Sequence, residues 1–354
     1  MSQNIIYTNH VGSELDKSIN EQTYNNIFVL VDTNTVNEVY PRLQSQCNTL
    51  SNAEVITIIA GDDNKNLDSL HKIWSALSTG GATRHSLLIN VGGGMVTDIG
   101  GFAASTFKRG IDFINIPTTL LSAVDAALGG KNGINFNGLK NEIGTFKEAG
   151  TVIISTLFFN TLPIQEIKSG YAEMIKHGII SCQSTFQSLI NRNISDVSPD
   201  SLLDLIEEST KVKIKIVSTD PLEKGLRKAL NFGHTVGHAF ESLSIKRNSP
   251  IPHGYAVAYG MVIETILSSI ISGFPINEMR KLAHYIYVNY GTVPFNCEDY
   301  NNLIDLMRHD KKNTTSDSIN MTLLKNVGDI KLNCKIEPDV ITAAFDIYRE
   351  ELLK

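Results

Sequence analysis

The chain has 354 residues, 42% of them hydrophobic, which is enough for two domains with cores of their own. Its formal net charge of −6, with both signs interspersed, argues against a nucleic-acid-binding surface, and no uninterrupted apolar run predicts a membrane span. Four scattered cysteines without a CxxC pair, and an N-terminus without the pattern of a signal peptide, predict free thiols in a cytoplasmic protein.

The first part of the chain alternates β-rich runs with helical stretches. Four buried strands are predicted, at residues 26–32, 54–60, 86–91 and 112–117. Two helices are predicted between them, at residues 36–46 and 67–79. Strands that alternate with helices indicate a parallel sheet that is covered on both faces.

From about Leu157 onward the β-strand pattern gives way to long amphipathic stretches. Helices are predicted at residues 164–180, 185–194, 198–218, 253–272 and 277–290. We therefore predict an α/β domain over residues 1–155 and an all-α domain over residues 156–354.

A glycine run in the first domain indicates a phosphate-binding turn. Gly92, Gly93 and Gly94 follow a predicted strand and open a helix, where backbone N–H groups and the helix dipole can meet a phosphate. The run is not a GxGxxG sequence, and a tight turn with close packing is the alternative. Gly100 and Gly101, about two turns further along this helix, favour pyrophosphate binding.

Several polar residues follow predicted strands and are expected near the same sheet edge. Asp32 ends the first confident strand, where an acid can bind a ribose or cap the following helix. Asp62 and Lys65 follow the next strand and are equally ambiguous by themselves. Thr118 and Thr119 place two hydroxyls at the edge where ligands sit in open α/β folds.

Three cations lie near these segments. Lys131 and Lys140 occur in glycine-rich, turn-like sequence, and lysines on rigid loops beside a phosphate-binding turn suggest anion clamps. Solvated loops are an equally good interpretation of the same pattern. Arg109, just before a strand, fits a clamp and a surface residue equally well.

The densest group of reactive side chains lies at residues 227–238, which are predicted to form one helix. One stripe of this helix carries a guanidinium, an amide and two imidazoles, from Arg227, Asn231, His234 and His238. Gly233 and Gly237 each cost about 1 kcal/mol relative to alanine in a helix, so something is expected to approach the backbone closely. A bound anion and a metal would also offset the cost of burying these polar groups.

The spacing leaves the metal ligands open. His234 and His238 are an i,i+4 pair on a helix, which favours them as ligands with the third one unknown. Glu173 together with His234 and His253 would instead supply one carboxylate and two imidazoles, the ligand count of a catalytic zinc. An exposed salt bridge between Glu173 and Lys176, and a helix cap at His253, are the plainer alternatives.

Five motifs, in this order and spacing, resemble the 3-dehydroquinate synthase family of sugar-phosphate cyclases. They read GGGMVTDIGGF from Gly92, PTTLLSAVDAALGGKNGINFNGLKNEIGTF from Pro117, SGYAEMIKHG from Ser169, GLRKALNFGHTVGH from Gly225 and HGYAVAYGM from His253. The resemblance implies a Rossmann-like NAD-binding domain, a helical metal- and substrate-binding domain, and a homodimer. It also implies conversion of 3-deoxy-D-arabino-heptulosonate 7-phosphate to 3-dehydroquinate and phosphate in the shikimate pathway. The family reaches this product by transient NAD oxidation, phosphate elimination, re-reduction and intramolecular aldol closure.

The same resemblance assigns residues to three roles. It implies that Zn²⁺ or Co²⁺ is bound by Glu173, His234 and His253, which overrules the choice of His238 by spacing. The implied NAD positions are Asp32, Asp62, Lys65, Gly93, Gly94, Met95, Val96, Thr97, Asp98, Thr118, Thr119, Lys131, Lys140, Phe158 and Thr161. The implied catalytic and substrate-binding positions are Lys131, Lys176, Lys213, Arg227, Asn231, His238, Arg109, Asp125, Asn141 and Lys312 (or its neighbour Lys311).

The sequence departs from the family pattern at a few places, none of them an implied metal ligand or lysine clamp. The departures are Ala126, Ala127, Asn132, Ser155, Gln165 and Tyr255.

Three other functions remain open. A sister cyclase, such as a 2-deoxy-scyllo-inosose or valiolone synthase, would act on a substrate without a carboxylate. The presence of Lys176, Lys213 and Arg227 favours the substrate that has one. A metal-dependent polyol dehydrogenase would accumulate NADH, and a degenerate NAD-binding regulatory module would have no need for the implied ligands and clamps.

Overall fold

A computed structural model describes residues 3–308 and 318–352. The chain divides into two compact units, one formed by residues 1–163 with 198–208 and the other by residues 164–197 with 209–354. The predicted domain boundary after residue 155 stays a prediction.

The first unit is built on a six-stranded sheet whose strands are all parallel. In space they follow the order β1-β8-β5-β4-β2-β3. The eight strands of this unit are β1 Asn4–Tyr7, β2 Ile27–Asp32, β3 Glu54–Ile58, β4 Leu87–Gly92, β5 Asp112–Pro117, β6 Lys131–Phe136, β7 Leu139–Phe146 and β8 Thr151–Ile154. Strands β6 and β7 lie outside the sheet and form an antiparallel hairpin.

The central strands are buried almost along their whole length. All residues of β4 are buried, as are all but the first residue of β2 and of β5. Side chains of these strands pack with Val11 and Leu15 of the first helix and with Leu43 in one core cluster. Burial on both faces explains why these strands have continuous apolar sequences, and the predicted parallel sheet is confirmed.

The strand order reverses between β2 and β4. The chain runs from β2 outward to β3, crosses back to β4, and then continues in the opposite direction through β5 to β8. In open α/β sheets, ligands bind outside the carboxyl ends of the strands at such a switch point. The ends of β2 and β4 are Asp32 and Gly92.

Among the described residues, five α-helices lie wholly within the first unit. They are α1 Val11–Asn20, α2 Thr35–Glu38, α3 Tyr40–Gln44, α4 Leu67–Thr79 and α5 Gly94–Thr106. The predicted helix at residues 36–46 is wrong as one element, because α2 ends before Val39 and Pro41 stands in the first turn of α3.

The second unit is mostly helical, as predicted. Its helices are α6 Ile164–Ser181, α7 Gln183–Ile190, α8 Pro199–Thr219, α9 His234–Lys246, α10 His253–Ser272, α11 Ile276–Tyr290, α12 Tyr300–Arg308 and α13 Pro338–Ile347, and the first ten residues of α8 belong to the first unit. It also contains an antiparallel hairpin that the sequence analysis missed, formed by β9 Ile319–Asn326 and β10 Asp329–Ile336.

Helix α10 is long and apolar enough to cross a membrane by length and composition. However, 78% of its most apolar window is buried inside the protein, which is typical of a core helix in a soluble protein. Its glycines permit close packing: a Cβ on Gly260 would lie 2.0 Å from the carbonyl oxygen of Gly233, which directly precedes α9.

Candidate active site

At the switch point of the sheet, the N-terminus of α5 follows directly on β4. Gly93 is the N-cap of α5, and no side chain of the described residues caps this helix end. The first backbone N–H groups of a helix have no partner within the helix and form an anion site together with the helix dipole. The predicted phosphate-binding turn therefore has the geometry that a pyrophosphate requires.

The glycines around this turn allow close approach for different reasons. A Cβ on Gly93 would lie 3.0 Å from a Thr119 side-chain carbon, and the Thr118 N–H donates to the Gly92 carbonyl at 3.0 Å. Gly100 and Gly101, in contrast, allow α5 to pack on the strands. A Cβ there would lie 2.0 Å and 2.1 Å from the side-chain oxygens of Asn90 and Asn132, respectively. The second glycine pair is thus explained by packing and gives no support to pyrophosphate binding.

Asp32 serves the local turn at the end of β2. Its Oδ1 accepts hydrogen bonds from the backbone N–H groups of Asn34 and Thr35, at 2.9 and 2.8 Å, and lies 3.1 Å from the Thr35 hydroxyl. These contacts close the turn before α2, whose N-cap is Asn34, so Asp32 stabilises the entry to this helix but is not its N-cap. The same residue also stands at the switch point, where the ribose role stays a prediction.

Five of the implied residues form one polar network around the buried ammonium of Lys65. The Lys65 Nζ lies 3.0 Å from Asp98, 2.6 Å from Asn141 and 3.5 Å from Asp62, and Lys140 lies 3.1 Å from Asp62. Burial favours the neutral lysine, but the carboxylates of Asp98 and Asp62 raise the pKa of Lys65 above its usual value. Burial raises the pKa of Asp98 even though Lys65 opposes the shift. The structure thus brings together residues that are far apart in the sequence.

The remaining predicted residues of the first unit lie on several elements. Lys131 and Lys140 belong to strands β6 and β7, so their assignment to loops is wrong, because the glycines of this segment sit in a paired hairpin. Asp125 lies on a single π-helical turn, Ser122–Ala126. Met95, Val96 and Thr97 lie in the first turn of α5, and Phe158 and Thr161 lie on the short 3₁₀ helix Thr156–Thr161.

Arg109 is not brought to this group within the chain. It is exposed, has a positive φ of 70°, and lies three residues before the start of β5. Because every strand of the sheet is parallel, Arg109 lies at the amino edge, opposite the glycine turn. Its role stays a prediction.

In the second unit, the three implied metal ligands converge. Ligand atoms of Glu173 on α6, His234 on α9 and His253 on α10 all lie within 4.8 Å of one another. Glu173 Oε1 lies 3.5 Å from His234 Nε2 and 3.7 Å from His253 Nε2. Among the described residues, neither buried oxygen of Glu173 accepts a hydrogen bond of normal geometry.

The hydrogen-bond partners of the imidazoles fix which ring nitrogen can bind a metal. His234 Nδ1 lies 3.2 Å from the Phe232 carbonyl, which can only accept, so this nitrogen carries the proton. His253 Nδ1 faces a carboxylate oxygen of Glu241 at 3.5 Å. The Nε2 atoms of both rings therefore face Glu173 Oε1, and the donor set fits Zn²⁺ or Co²⁺ with a position left for another ligand.

Charges near this carboxylate keep it ionised. Burial by itself would raise the pKa of Glu173, but the contacting Lys176 ammonium and the two imidazoles hold it well below its usual value. Burial, with Lys176 nearby, holds the pKa of His234 well below its usual value. At neutral pH the site thus offers a carboxylate and a neutral imidazole. Burial lowers the pKa of His253, but the carboxylates of Glu173 and Glu241 raise it to about 10, so a metal bound there would displace a proton from this ring.

The predicted single helix at residues 227–238 is wrong. A 3₁₀ helix, Leu226–Asn231, is followed by Gly233 in the left-handed region at φ 82°, and α9 begins only at His234. A Cβ on Gly233 would lie 2.6 Å from Met261, and one on Gly237 would lie 2.9 Å from the Ala256 carbonyl. What approaches these glycines is helix α10 rather than a ligand.

Other implied substrate residues of this unit are buried cations. Lys176, Lys213 and Arg227 are buried, and Arg227 donates to the Pro221 carbonyl at 2.6 Å. Asn231 donates to Glu223 at 2.7 Å. The His238 ring centre lies 5.4 Å from that of His234. Lys312 and Lys311 lie outside the described residues.

The sequence analysis missed two buried carboxylates beside the ligands. Glu241 lies seven residues after His234 on α9, a spacing that places both on one face and could have revealed it. Glu264 of α10 accepts the N–H groups of Gly233 and Val236, at 2.6 and 3.2 Å. No local pattern marks Glu264, because its partners belong to another helix.

Comparisons with known proteins identify the family of this chain. The family models described as 3-dehydroquinate synthase N-terminal and 3-dehydroquinate synthase C-terminal match residues 55–169 and 170–313. A 3-dehydroquinate synthase from Parabacteroides distasonis is 49% identical over 98% of both chains, and one from Clostridium tetani is 36% identical over 91% of this chain and 86% of its own. A crystal structure of 2-deoxy-scyllo-inosose synthase complexed with carbaglucose-6-phosphate, NAD⁺ and Co²⁺ shares the fold, with a TM-score of 0.87 at 22% identity over 98% of this chain and 96% of that one. With both family models matched in order and a relative this similar along nearly its whole length, the chain belongs to the 3-dehydroquinate synthase family.

Proposed function

We propose that this protein converts 3-deoxy-D-arabino-heptulosonate 7-phosphate to 3-dehydroquinate and phosphate. Membership of the family supports this reaction, and the relative at 49% identity carries its name. The observation that carries the proposal is the convergence of Glu173, His234 and His253, with both imidazole Nε2 atoms turned toward one buried carboxylate oxygen.

The first unit supplies the features that NAD requires. The N-terminus of α5 offers backbone N–H groups to the pyrophosphate, and Gly93 leaves room for it beside Thr119. The network around Lys65 presents polar groups from Asp62, Lys140 and Asn141. When bound, NAD⁺ would accept a hydride from the substrate and later return it, so that no NADH accumulates.

The metal ligands are organised for an oxygen of the substrate. When bound, Zn²⁺ or Co²⁺ would act as a Lewis acid toward the hydroxyl group that is oxidised. Glu173 contributes its negative charge, which Lys176 stabilises by direct contact. The Phe232 carbonyl holds the His234 ring in the orientation that points Nε2 toward Glu173.

The buried cations of the second unit favour a substrate with two anionic groups. Lys176, Lys213 and Arg227 are all buried and match the positions that the family resemblance implies for substrate binding, and Lys176 also contacts Glu173. The heptulosonate phosphate carries a carboxylate as well as a phosphate. A hexose or heptulose phosphate without the carboxylate would give these cations one negative group fewer to bind. We assign hydrogen-bonding roles toward the same substrate to Asn231 and His238.

We further propose a cytoplasmic homodimer. All four cysteines are free thiols, which is typical of a reducing compartment. Strand β7 exposes the apolar side chains of Leu139, Ile143 and Phe146 on a hairpin outside the main sheet. A second copy that covers this strand would remove apolar surface from water.

Phosphate release from purified protein tests the reaction. The assay contains the heptulosonate phosphate, catalytic NAD⁺ and Zn²⁺, and follows phosphate and NADH absorbance together. Phosphate release without net NADH, abolished by a chelator, supports the proposal. Turnover only of a sugar phosphate without a carboxylate would identify a sister cyclase. NADH accumulation with a simple polyol would identify a dehydrogenase.

A further inference from the structure

Glu241 is a buried carboxylate that directly contacts an implied metal ligand without belonging to the ligand set around Glu173. Its Oε2 lies 3.5 Å from Nδ1 of His253, the ring nitrogen on the side away from Glu173. Only 9% of the Glu241 side chain is exposed, compared with 29% for His253. A carboxylate in this position has lost most of its hydration and needs a favourable contact to offset that loss.

The position of this carboxylate decides how the His253 ring is used. An ionised carboxylate can only accept a hydrogen bond, so it selects the tautomer with a proton on Nδ1. Nε2, on the other side of the ring, lies 3.7 Å from the Glu173 carboxylate. A metal bound at Nε2 would take the place of a proton there and leave the Nδ1 proton facing Glu241. His253 is the first residue of α10 and is the most exposed of the three ligands, so its ring has the greatest freedom to rotate away.

For His234, a backbone carbonyl provides the corresponding hydrogen bond. The Phe232 carbonyl at 3.2 Å fixes the tautomer of His234 in the same sense. Glu241 therefore does for one imidazole what a backbone carbonyl does for the other. Because Glu241 lies seven residues after His234 on α9, the same helix supplies a ligand and the support for a second ligand.

We propose that Glu241 is a positioning residue of the metal site, which accepts the Nδ1–H of His253 and orients its Nε2 toward the metal. Glu241 itself does not touch the substrate. The inference rests on the metal site of the proposed function and does not depend on which sugar phosphate is turned over.

Zinc affinity of the metal-free protein tests this inference without any substrate. The dissociation constant is measured by competition with a chromophoric chelator for the wild type, Glu241→Gln and Glu241→Ala. We expect Glu241→Ala to weaken zinc binding by about 10- to 100-fold, the usual effect of removing a carboxylate behind a ligating histidine. Glu241→Gln keeps the side-chain volume and one acceptor oxygen, so its affinity should fall between the two.

Glu278→Ala is the matched control. It removes another partly buried glutamate of this unit, which pairs with Lys281 at 2.8 Å and accepts a hydrogen bond from Gln183. Its zinc affinity should equal that of the wild type. The visible absorption of bound Co²⁺, which reports ligand geometry, should change in Glu241→Gln and stay unchanged in Glu278→Ala.

Two results would overturn the inference. One is wild-type zinc affinity and an unchanged Co²⁺ spectrum in Glu241→Gln, even if Glu241→Ala fails to fold. The other is a loss of melting temperature in both Glu241 variants without any change in zinc affinity, which would mark a purely structural role. A wild type that binds zinc but does not release phosphate from the heptulosonate would refute the proposed reaction and leave this inference standing.

Discussion

Replacement of Glu264 by alanine should strongly destabilise the second unit. This fully buried side chain accepts the backbone N–H groups of Gly233 and Val236, one with each carboxylate oxygen. Gly233 has no side chain to cap α9, so Glu264 supplies that cap from α10. The turn that it stabilises leads directly into His234.

The magnitude follows from what the substitution leaves behind. Hydrogen bonds to a charged group contribute about 1.5–3 kcal/mol each, and an anion at a helix N-terminus adds up to about 2 kcal/mol when partly buried. The alanine variant also recovers the desolvation cost of the carboxylate, which offsets part of this loss. We therefore expect the free energy of unfolding to fall by about 3–5 kcal/mol, because two buried N–H groups lose their acceptor at about 1–3 kcal/mol each and the helix N-terminus loses its anion.

Urea denaturation and native-state hydrogen exchange measure this effect. The urea midpoint should fall for Glu264→Ala and fall less for Glu264→Gln, which keeps one acceptor oxygen. The amides of Gly233 and Val236 should lose more protection than the amides in the middle of α10. The control Glu278→Ala removes a more exposed ion pair and should cost at most about 1 kcal/mol. A Glu264→Ala midpoint equal to that of the control would refute the reasoning.

Three further outcomes are expected from the charges and thiols of the chain. Hydrogen bonds to neighbouring hydroxyls lower the pKa of the Cys182 thiol to about 7, whereas burial raises the pKa of the Cys47 thiol to about 11. Iodoacetamide at neutral pH should therefore label Cys182 before Cys47, and equal labelling rates by mass spectrometry would contradict this. Burial opposes ionisation of Asp16, but hydrogen bonds from Cys47, Thr49 and Asn48 lower its pKa from 3.8 to about 2. Because the pKa of Asp16 is lower in the folded state, its contribution to the stability of the fold should be present above pH 3.8 and disappear as the pH falls toward 2. The variant Asp16→Asn should therefore have a lower melting temperature than the wild type at neutral pH but not near pH 2. Glu173→Gln should lose zinc affinity and turnover while NAD⁺ still binds; full activity of this variant after metal removal would refute the metal assignment.

The elements that could be predicted are those whose burial follows their own sequence. Helices α4 and α10 match the predicted ranges 67–79 and 253–272, because a long apolar stripe or a wholly apolar surface defines each one. Strand β4 matches within one residue because it is apolar along its length. In each case the signal lies within the element itself.

The elements that were missed depend on partners elsewhere in the chain. Strand β7 is exposed at nearly every residue, and its sequence does not alternate apolar with polar residues. It becomes a strand because it pairs with β6 from Lys131 to Phe136. The interruption of the predicted helix at Gly233 also depends on another element, because Met261 and Glu264, which contact Gly233, both belong to α10. The periodicity of residues 227–238 cannot reveal either of these contacts.

The choice between His238 and His253 as the second imidazole ligand shows why spacing could not decide the metal site. Both rings lie 5.4 Å from the ring of His234, so proximity to that ligand does not distinguish them. The position of Glu173 separates them: its Oε1 lies 3.7 Å from His253 Nε2, and it forms a converging ligand set with His234 and His253. His238 converges instead with Glu241 and His253 among the described residues, so the choice of Glu173, His234 and His253 as the ligands stays a prediction. Glu173 reaches this point from α6, sixty-one residues earlier in the sequence than His234. The position of the Glu173 carboxylate in the folded chain therefore distinguishes the two candidate imidazoles. Helical spacing identifies candidate histidines but does not show which of them lies near this carboxylate.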